Sequence, residues 1–208
     1  MIRCGKKRLR LWIALGAAGA ALLLALAIWQ WDTICDPRRL FVNDRDYSEE
    51  IAAAAAKHGL DRDLVRALIY QESRFRPDMR GKKGEIGLMQ VLPSGAAAEW
   101  ARVHKRRRPF AWELYDVGLN LEIGCWYLAR ALRRWREYDR HIELALADYN
   151  AGTTRAREWA PPEKSGEVLH RVKIASTKKY ITEIMKRYRS YARDTGGVEK
   201  PKTVTGKR

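Results

Sequence analysis

The sequence predicts an all-α domain preceded by a single N-terminal transmembrane helix. Three observations predict it. An uncharged run of 19 residues, Leu11 to Trp29, follows a basic start. Further on, Leu121, Cys125, Leu128, Leu132 and Trp135 recur at steps of four, three, four and three, which is helical spacing. No segment alternates apolar and polar residues as a half-buried strand does, and no internal repeat is present. At 208 residues the chain accommodates one domain of about 150 residues plus appendages, with a core that needs no disulfide or metal to hold it.

Residues 1–10 carry Arg3, Lys6, Lys7, Arg8 and Arg10 and read as a basic cytoplasmic segment. Residues 11–31 read as a transmembrane signal anchor. As a helix the apolar run spans about 28 Å, close to the thickness of a hydrocarbon core. Trp12 stands at one end and Trp29 and Trp31 at the other, at interfacial depth. The basic flank precedes the run, so the expected location is the inner (cytoplasmic) membrane, single-pass, with the body facing the periplasm and cell wall. A cleaved signal peptide is the competing reading. The run exceeds the usual apolar length for one, and the small residues Ala25 and Ala27 lie inside it rather than after it. Cys35 lacks the small residue that precedes a lipid-modified cysteine.

Residues 32–46 read as a tether and residues 47–194 as the exported domain. Ser48 is expected to cap a helix that opens with Glu49 and Glu50 and stops at Gly59. Asp61 caps the next, which carries Glu72 and ends before Pro77. Residues 77–87, with Gly81, Gly84 and Gly87, form a loop. Helix is expected from about Leu88 to His104, interrupted at Pro93, followed by the basic loop "KRRRP". After the long helix through Leu121 and Trp135 come helices over roughly 141–150, 154–159 and 177–193. Residues 195–208 are polar and read as a disordered tail.

Lys and Arg number 41 against 25 Asp and Glu, a net charge of +16, and the excess persists when the first ten residues are set aside. Such a balance points to an anionic partner, the plain alternative being a basic solvated surface. A body outside the cytoplasm does not meet nucleic acid routinely, which leaves the membrane surface and the cell wall. Cys4, Cys35 and Cys125 make no metal-ligand spacing with His58, His104, His141 and His170, so neither metal nor cofactor is expected. Cys35 and Cys125 could pair in an oxidising compartment; simple burial is the other reading for Cys125.

One short stretch, "ALIYQESRFRP" at 67–77, sets a carboxylate on the apolar side of its helix. Val65, Leu68 and Ile69 define that side, and Glu72 follows Val65 by seven residues and Leu68 by four. A glutamate in an apolar setting keeps a proton at neutral pH, which is what a general acid needs. The plainer reading turns Glu72 outward to pair with Arg76 at i+4. Ser73, "GLMQVLP" at 87–93 and "DYNAG" at 148–152 follow it with hydroxyl, thioether and amide groups. Read plainly, Tyr149 is a satisfied buried tyrosine, Met89 a gap-filler and Asn150 a helix cap.

"ES" at 72–73, "GLMQVLP" at 87–93 and "YNAG" at 149–152 resemble, in order and spacing, the three leading motifs of the lytic transglycosylases related to the soluble Slt enzyme. That family has a lysozyme-like α-fold shared with goose-type lysozyme, and the resemblance covers about residues 47–193. It implies that Glu72 is the single catalytic acid/base, with Ser73 and Tyr149 hydrogen-bonded around it. Met89, Gln90 and Asn150 would shape the glycan groove. The later "STKKYI" fits the family at Thr177 and Tyr180 but has Ser176 in place of a glutamate; Gly81 and Glu85 stand where serine and alanine are common. The implied substrate is the β-1,4 bond from N-acetylmuramic acid to N-acetylglucosamine in peptidoglycan, cleaved to a 1,6-anhydro end. Implied partners are the glycan strands, the inner membrane through residues 11–31, and a secretion or cell-envelope machine. A hydrolase on the same fold and a non-catalytic wall-binding scaffold are the alternatives. The basic "KRRR" at 105–108 reads as a solvated loop that, beside a groove, would meet stem-peptide carboxylates.

Overall fold

Capping chemistry and apolar register account for the helices in the described part of the chain, residues 47–194 of a computed structural model. Helix α1, Ser48–His58, closes on Gly59 in the left-handed conformation, φ 65°. Helix α2, Arg62–Ser73, is capped by Asp61, whose Oδ1 accepts the backbone N–H groups of Asp63 at 2.7 Å and Leu64 at 3.3 Å. A loop with two isolated antiparallel bridges, Arg80 to Ile86 and Ile86 to Val91, leads into a π-helical turn, Pro93–Ala97, and α3, Ala98–Val103. A 3₁₀ turn, Ala111–Tyr115, precedes α4, Val117–Trp135, which Asp116 caps. Then come α5, His141–Ala151, α6, Thr153–Trp159, and α7, Ala175–Asp194. Among the described residues the domain is all-α, as expected.

Helix α5 is central: it packs against α4, α6 and α7, while α2 packs on α7 and on α1. Six consecutive residues of α5, Glu143 to Asp148, are buried, so it is enclosed all round rather than amphipathic. Leu68 and Ile69 of α2, Leu128 of α4, Leu144 and Leu146 of α5 and Ile181 and Ile184 of α7 are fully buried around it. Each contributes about 1.5–3 kcal/mol by leaving water. The expected core tryptophans Trp100, Trp126 and Trp135 are 7%, 8% and 5% exposed.

Several local expectations are corrected. Tyr47, not Ser48, holds the N-cap position of α1, with no side-chain cap. Helix α2 ends before Pro77, as expected, and does so at Ser73 because Arg74 and Phe75 are both left-handed, φ 55° and 60°. That turn drives Phe75 inward to 2% exposure, edge-on to Tyr70. No helix starts at Leu88: Gly87 and Gln90 have φ of 80° and 47°, and residues 87–91 form a buried turn. Their apolar run looked helical because a buried turn and a buried helix need the same side chains. Cys125 is a buried free thiol, Sγ 3.8 Å from Met89 Sδ, and burial pushes it up to about 12. The basic segment, anchor (11–31), tether (32–46) and tail (195–208) lie outside the described residues. Among the described residues, no helix is long and apolar enough to cross a membrane.

Candidate active site

Register on α2 places Glu72 one turn beyond Leu68 and Ile69, where α2 meets α7. Tyr180 of α7 donates its hydroxyl to Glu72 Oε1 at 2.5 Å. Burial pushes the Glu72 carboxyl up to about 7; the Tyr180 hydrogen bond draws it back, and the charge of Glu85 adds to the rise. Near neutral pH the group is therefore poised between its two forms, the condition for giving a proton and taking one back. Glu72 lines an open cleft of about 380 Å³, with Glu85, Gln90, Tyr127, Tyr149 and Asn150 on its walls.

The facing wall is built from the C-terminal end of α5. Asp148, 1% exposed, accepts Arg134 Nη1 at 2.5 Å, Trp135 Nε1 at 3.0 Å and Thr153 Oγ1 at 2.8 Å, locking the α4, α5 and α6 junction. The next two residues are thereby fixed. Tyr149 donates its hydroxyl to the Met89 carbonyl at 2.8 Å and stands edge-on to Tyr127, 5.5 Å between centroids. Asn150 is exposed at the rim, and its Oδ1 accepts Thr177 Oγ1 at 2.8 Å. Burial pushes the Tyr149 and Tyr180 phenols well above their ordinary range, so both act as hydroxyl donors.

The intervening turn is held from α4. Asn120, 1% exposed, donates Nδ2 to the carbonyls of Ile86 and Leu114 and accepts the Met89 N–H, at 2.8, 2.8 and 2.9 Å. A Cβ at position 87 would stand 2.2 Å from Asn120 Nδ2, so only glycine fits there. Gln90 turns its amide inward, donating to the Met79 and Gly87 carbonyls at 3.2 and 2.9 Å.

Of the residues singled out from sequence, Glu72, Gln90, Tyr149 and Asn150 line the cleft, and Tyr180 reaches Glu72 from beneath. The expected hydrogen bonds from Ser73 and Tyr149 to Glu72 are absent. Ser73 is buried and donates within its own helix, to the Ile69 carbonyl at 3.3 Å, and Tyr149 bonds Met89. Tyr180 supplies the bond assigned to them. The Met89 side chain is not a groove wall: it is 0% exposed and packs so tightly on α4 that a Cβ on Gly124 would stand 2.4 Å from its sulfur. Arg76 turns to the Ser73 carbonyl and Met79 instead of pairing with Glu72. The departures at Gly81 and Glu85 prove to be linked. A Cβ at 81 would stand 2.4 Å from Glu85 Oε2, so the missing side chain makes room for the added carboxylate, which also accepts the Lys83 N–H at 2.9 Å. Asn120, Tyr127 and Asp148 were missed as supporting residues. Asn120 and Asp148 carry the signal that found Glu72, a polar side chain on an apolar helix face.

Comparison with known proteins follows the same lines. The family model of the transglycosylase SLT domain matches residues 49–169. The membrane-bound lytic murein transglycosylase E of Buchnera aphidicola is 28% identical over 149 residues, covering 70% of this chain and 67% of that protein. The membrane-bound lytic murein transglycosylase F of Desulfosudis oleivorans is 31% identical over 124 residues, 58% of this chain but 25% of that protein. Among solved structures, the 70 kDa soluble lytic transglycosylase of Escherichia coli superposes with a TM-score of 0.63 at 21% identity, over 73% of this chain and 25% of that one. That likeness bears on the fold. The chain thus spans about two thirds of the first relative's length and a quarter of the other two.

Proposed function

The chain belongs to the transglycosylase SLT family, and from that premise we propose that it is a membrane-anchored lytic transglycosylase of peptidoglycan. Glu72 gives its proton to the oxygen between N-acetylmuramic acid and N-acetylglucosamine, and positive charge develops at the muramic C1. The carboxylate, steadied by the Tyr180 hydroxyl, then takes the proton of that sugar's own C6 hydroxyl, whose oxygen attacks C1 and closes a 1,6-anhydro ring. An internal nucleophile lets one carboxyl do what glycosidases divide between two. The observation that carries this reading is the Glu72 carboxyl, raised to about 7 at the floor of an open cleft and hydrogen-bonded to Tyr180. Gln90, Tyr149 and Asn150 form the glycan-facing walls; Ser73 and Met89 support them from the core.

The anchor over residues 11–31, with the body in the periplasm against the wall, completes the proposal. It rests on the basic-then-apolar sequence pattern and agrees with relatives whose names say membrane-bound. A second reading has one observation in its favour: Glu85 lines the same cleft as Glu72 and could activate a water, giving hydrolysis instead.

Mass spectrometry of wall fragments released by the purified full chain separates the cases. Anhydromuramic ends support the transglycosylase, reducing muramic ends indicate the hydrolase, and no release indicates a scaffold. A cytoplasm-only reporter fused after Arg208 stays silent if the body is exported. A soluble mature protein beginning near Gln30 would remove the anchor from the proposal.

A further inference from the structure

Among the described residues, the large apolar side chains left exposed are Val103, Phe110, Trp112 and Tyr115, at 49%, 58%, 69% and 38%. All four fall between positions 103 and 115, from the end of α3 through the 3₁₀ turn. The same segment carries Arg102, Lys105, Arg106, Arg107 and Arg108, and every residue from 102 to 108 is exposed. Scattered singly, exposed apolar residues need no explanation; gathered among cations, they mark an interaction surface.

The segment is held in shape. Pro109 and Leu114 are buried and pin it to the body. Arg107 donates two parallel bonds to Glu113, at 2.8 and 2.7 Å, and Glu113 also accepts the Phe110 N–H at 2.6 Å. The Arg107 guanidinium lies over the Phe110 ring, 4.7 Å from its centroid, and that ring stacks on Trp112 at 6.2 Å and 13°. At the α3 end, the Arg106 N–H closes on the Ala101 carbonyl at 2.8 Å. Rings and cations are presented before contact, which lowers the ordering cost of binding.

The free charge of this surface has one sign. Glu113 is taken by Arg107 and Glu99 by Arg130, and Asp116 caps α4. Among the described residues, Arg102, Lys105, Arg106 and Arg108 have no acidic partner within ion-pair distance. A protein partner answers with acids set against particular cations. A lipid headgroup layer needs no such register: aromatic rings settle at headgroup depth, and cations are drawn to anionic lipids around them. We propose that residues 102–115 dock the domain onto an anionic phospholipid bilayer. This contact is distinct from the anchor proposed at residues 11–31. With that anchor in place, the stretch 32–46 reaches at most about 50 Å, which keeps the docking segment beside the same bilayer. Arg108 and Phe110 also border a recess that shares Lys83 and Leu92 with the cleft of Glu72, so docking sets that cleft close to the headgroups.

The test uses the full chain and excess vesicles of phosphatidylcholine, with or without phosphatidylglycerol. Lipids brominated near the headgroup quench tryptophan, and the share due to Trp112 is the difference between wild type and Trp112→Phe. That share is present in anionic vesicles, absent in neutral ones and erased by high salt. The double variant Lys105→Gln, Arg106→Gln changes positions that border neither the cleft nor the recess. It lowers the ratio of docked to undocked chains about thirtyfold, whereas Lys105→Arg with Arg106→Lys retains it. No Trp112 quenching in anionic vesicles, equal quenching in neutral ones, or quenching unchanged in the Gln variant overturns the proposal. If the Gln variant keeps its quenching but loses retention by purified wall sacculi, the segment is a wall contact instead. Sedimentation with neutral vesicles reads the anchor separately: a chain left in solution there removes the anchor, while Trp112 quenching in anionic vesicles still decides the docking.

Discussion

Glu72 and Asp148 are carboxylates on apolar faces of their helices, one lining the cleft and one buried behind its facing wall, and the protein treats them in opposite ways. Asp148 is given a guanidinium, an indole N–H and a threonine hydroxyl. Glu72 is given one tyrosine hydroxyl and shares its cleft with another carboxylate. Donor count and the sign of the nearest charge thus turn the same group into a brace in one place and a proton donor in the other.

The largest expected effect comes from breaking the second arrangement. Glu72→Gln keeps the shape and removes the transferable proton, so release of anhydromuropeptides falls by about a thousandfold or more. Near-normal release from a folded variant would remove Glu72 from its role. The same variant has a pH signature. Because the folded carboxyl sits near 7 rather than at 4.5, the native chain holds this proton more tightly than the unfolded chain. Wild type therefore loses stability relative to Glu72→Gln as pH rises from about 4.5 through 7, on the order of 3 kcal/mol, with little difference at pH 4. Denaturant midpoints at pH 4 and 8 measure it, and a difference of the opposite sign would contradict the burial argument.

Breaking the brace comes next. Asp148→Ala leaves the Arg134 guanidinium and the Trp135 N–H without their partner and costs about 3 kcal/mol in a urea titration. A loss below about 1 kcal/mol would mean that water replaces the carboxylate without penalty. Tyr180→Phe removes the bond that lowers the Glu72 carboxyl, so the basic limb of the pH–rate profile moves up while the maximal rate falls about tenfold. Glu85→Gln has the smallest effect and the opposite direction: losing a like charge draws the limb down, with the rate changed about twofold and the products still anhydro ends. Limbs moving in the same direction would undo this division of causes. Reducing ends in wild type that vanish in Glu85→Gln would make the protein a two-carboxylate hydrolase.

Much of this was legible in the sequence because it is local. The Asp61 cap, the stripe from Leu121 to Trp135 and the apolar side of Glu72 depend on residues within a few turns. The turn at 87–91 was not legible, since Leu88, Met89 and Val91 supply burial without saying which backbone conformation achieves it. Nor were the bond partners. Ser73 sits beside Glu72 in sequence, yet helix geometry sends its hydroxyl back to Ile69. The donor comes from another helix, by a packing of α2 on α7 that periodicity does not encode. Position 81 shows the same limit from the other side: its glycine makes sense only once Glu85 is seen to occupy the space.

The bond from Tyr180 to Glu72 joins residues 108 apart, across most of the domain. Chains are made and threaded from the N-terminus, so α2 emerges long before α7. Until residue 180 arrives, the helix that packs on α2 and supplies the Glu72 hydroxyl donor is missing, and the site is incomplete. On the proposed activity, the order of synthesis is then a safety interval. A nascent, stalled or C-terminally clipped chain carries the full "ES", "GLMQ" and "YNAG" motifs yet lacks the helix that finishes the site.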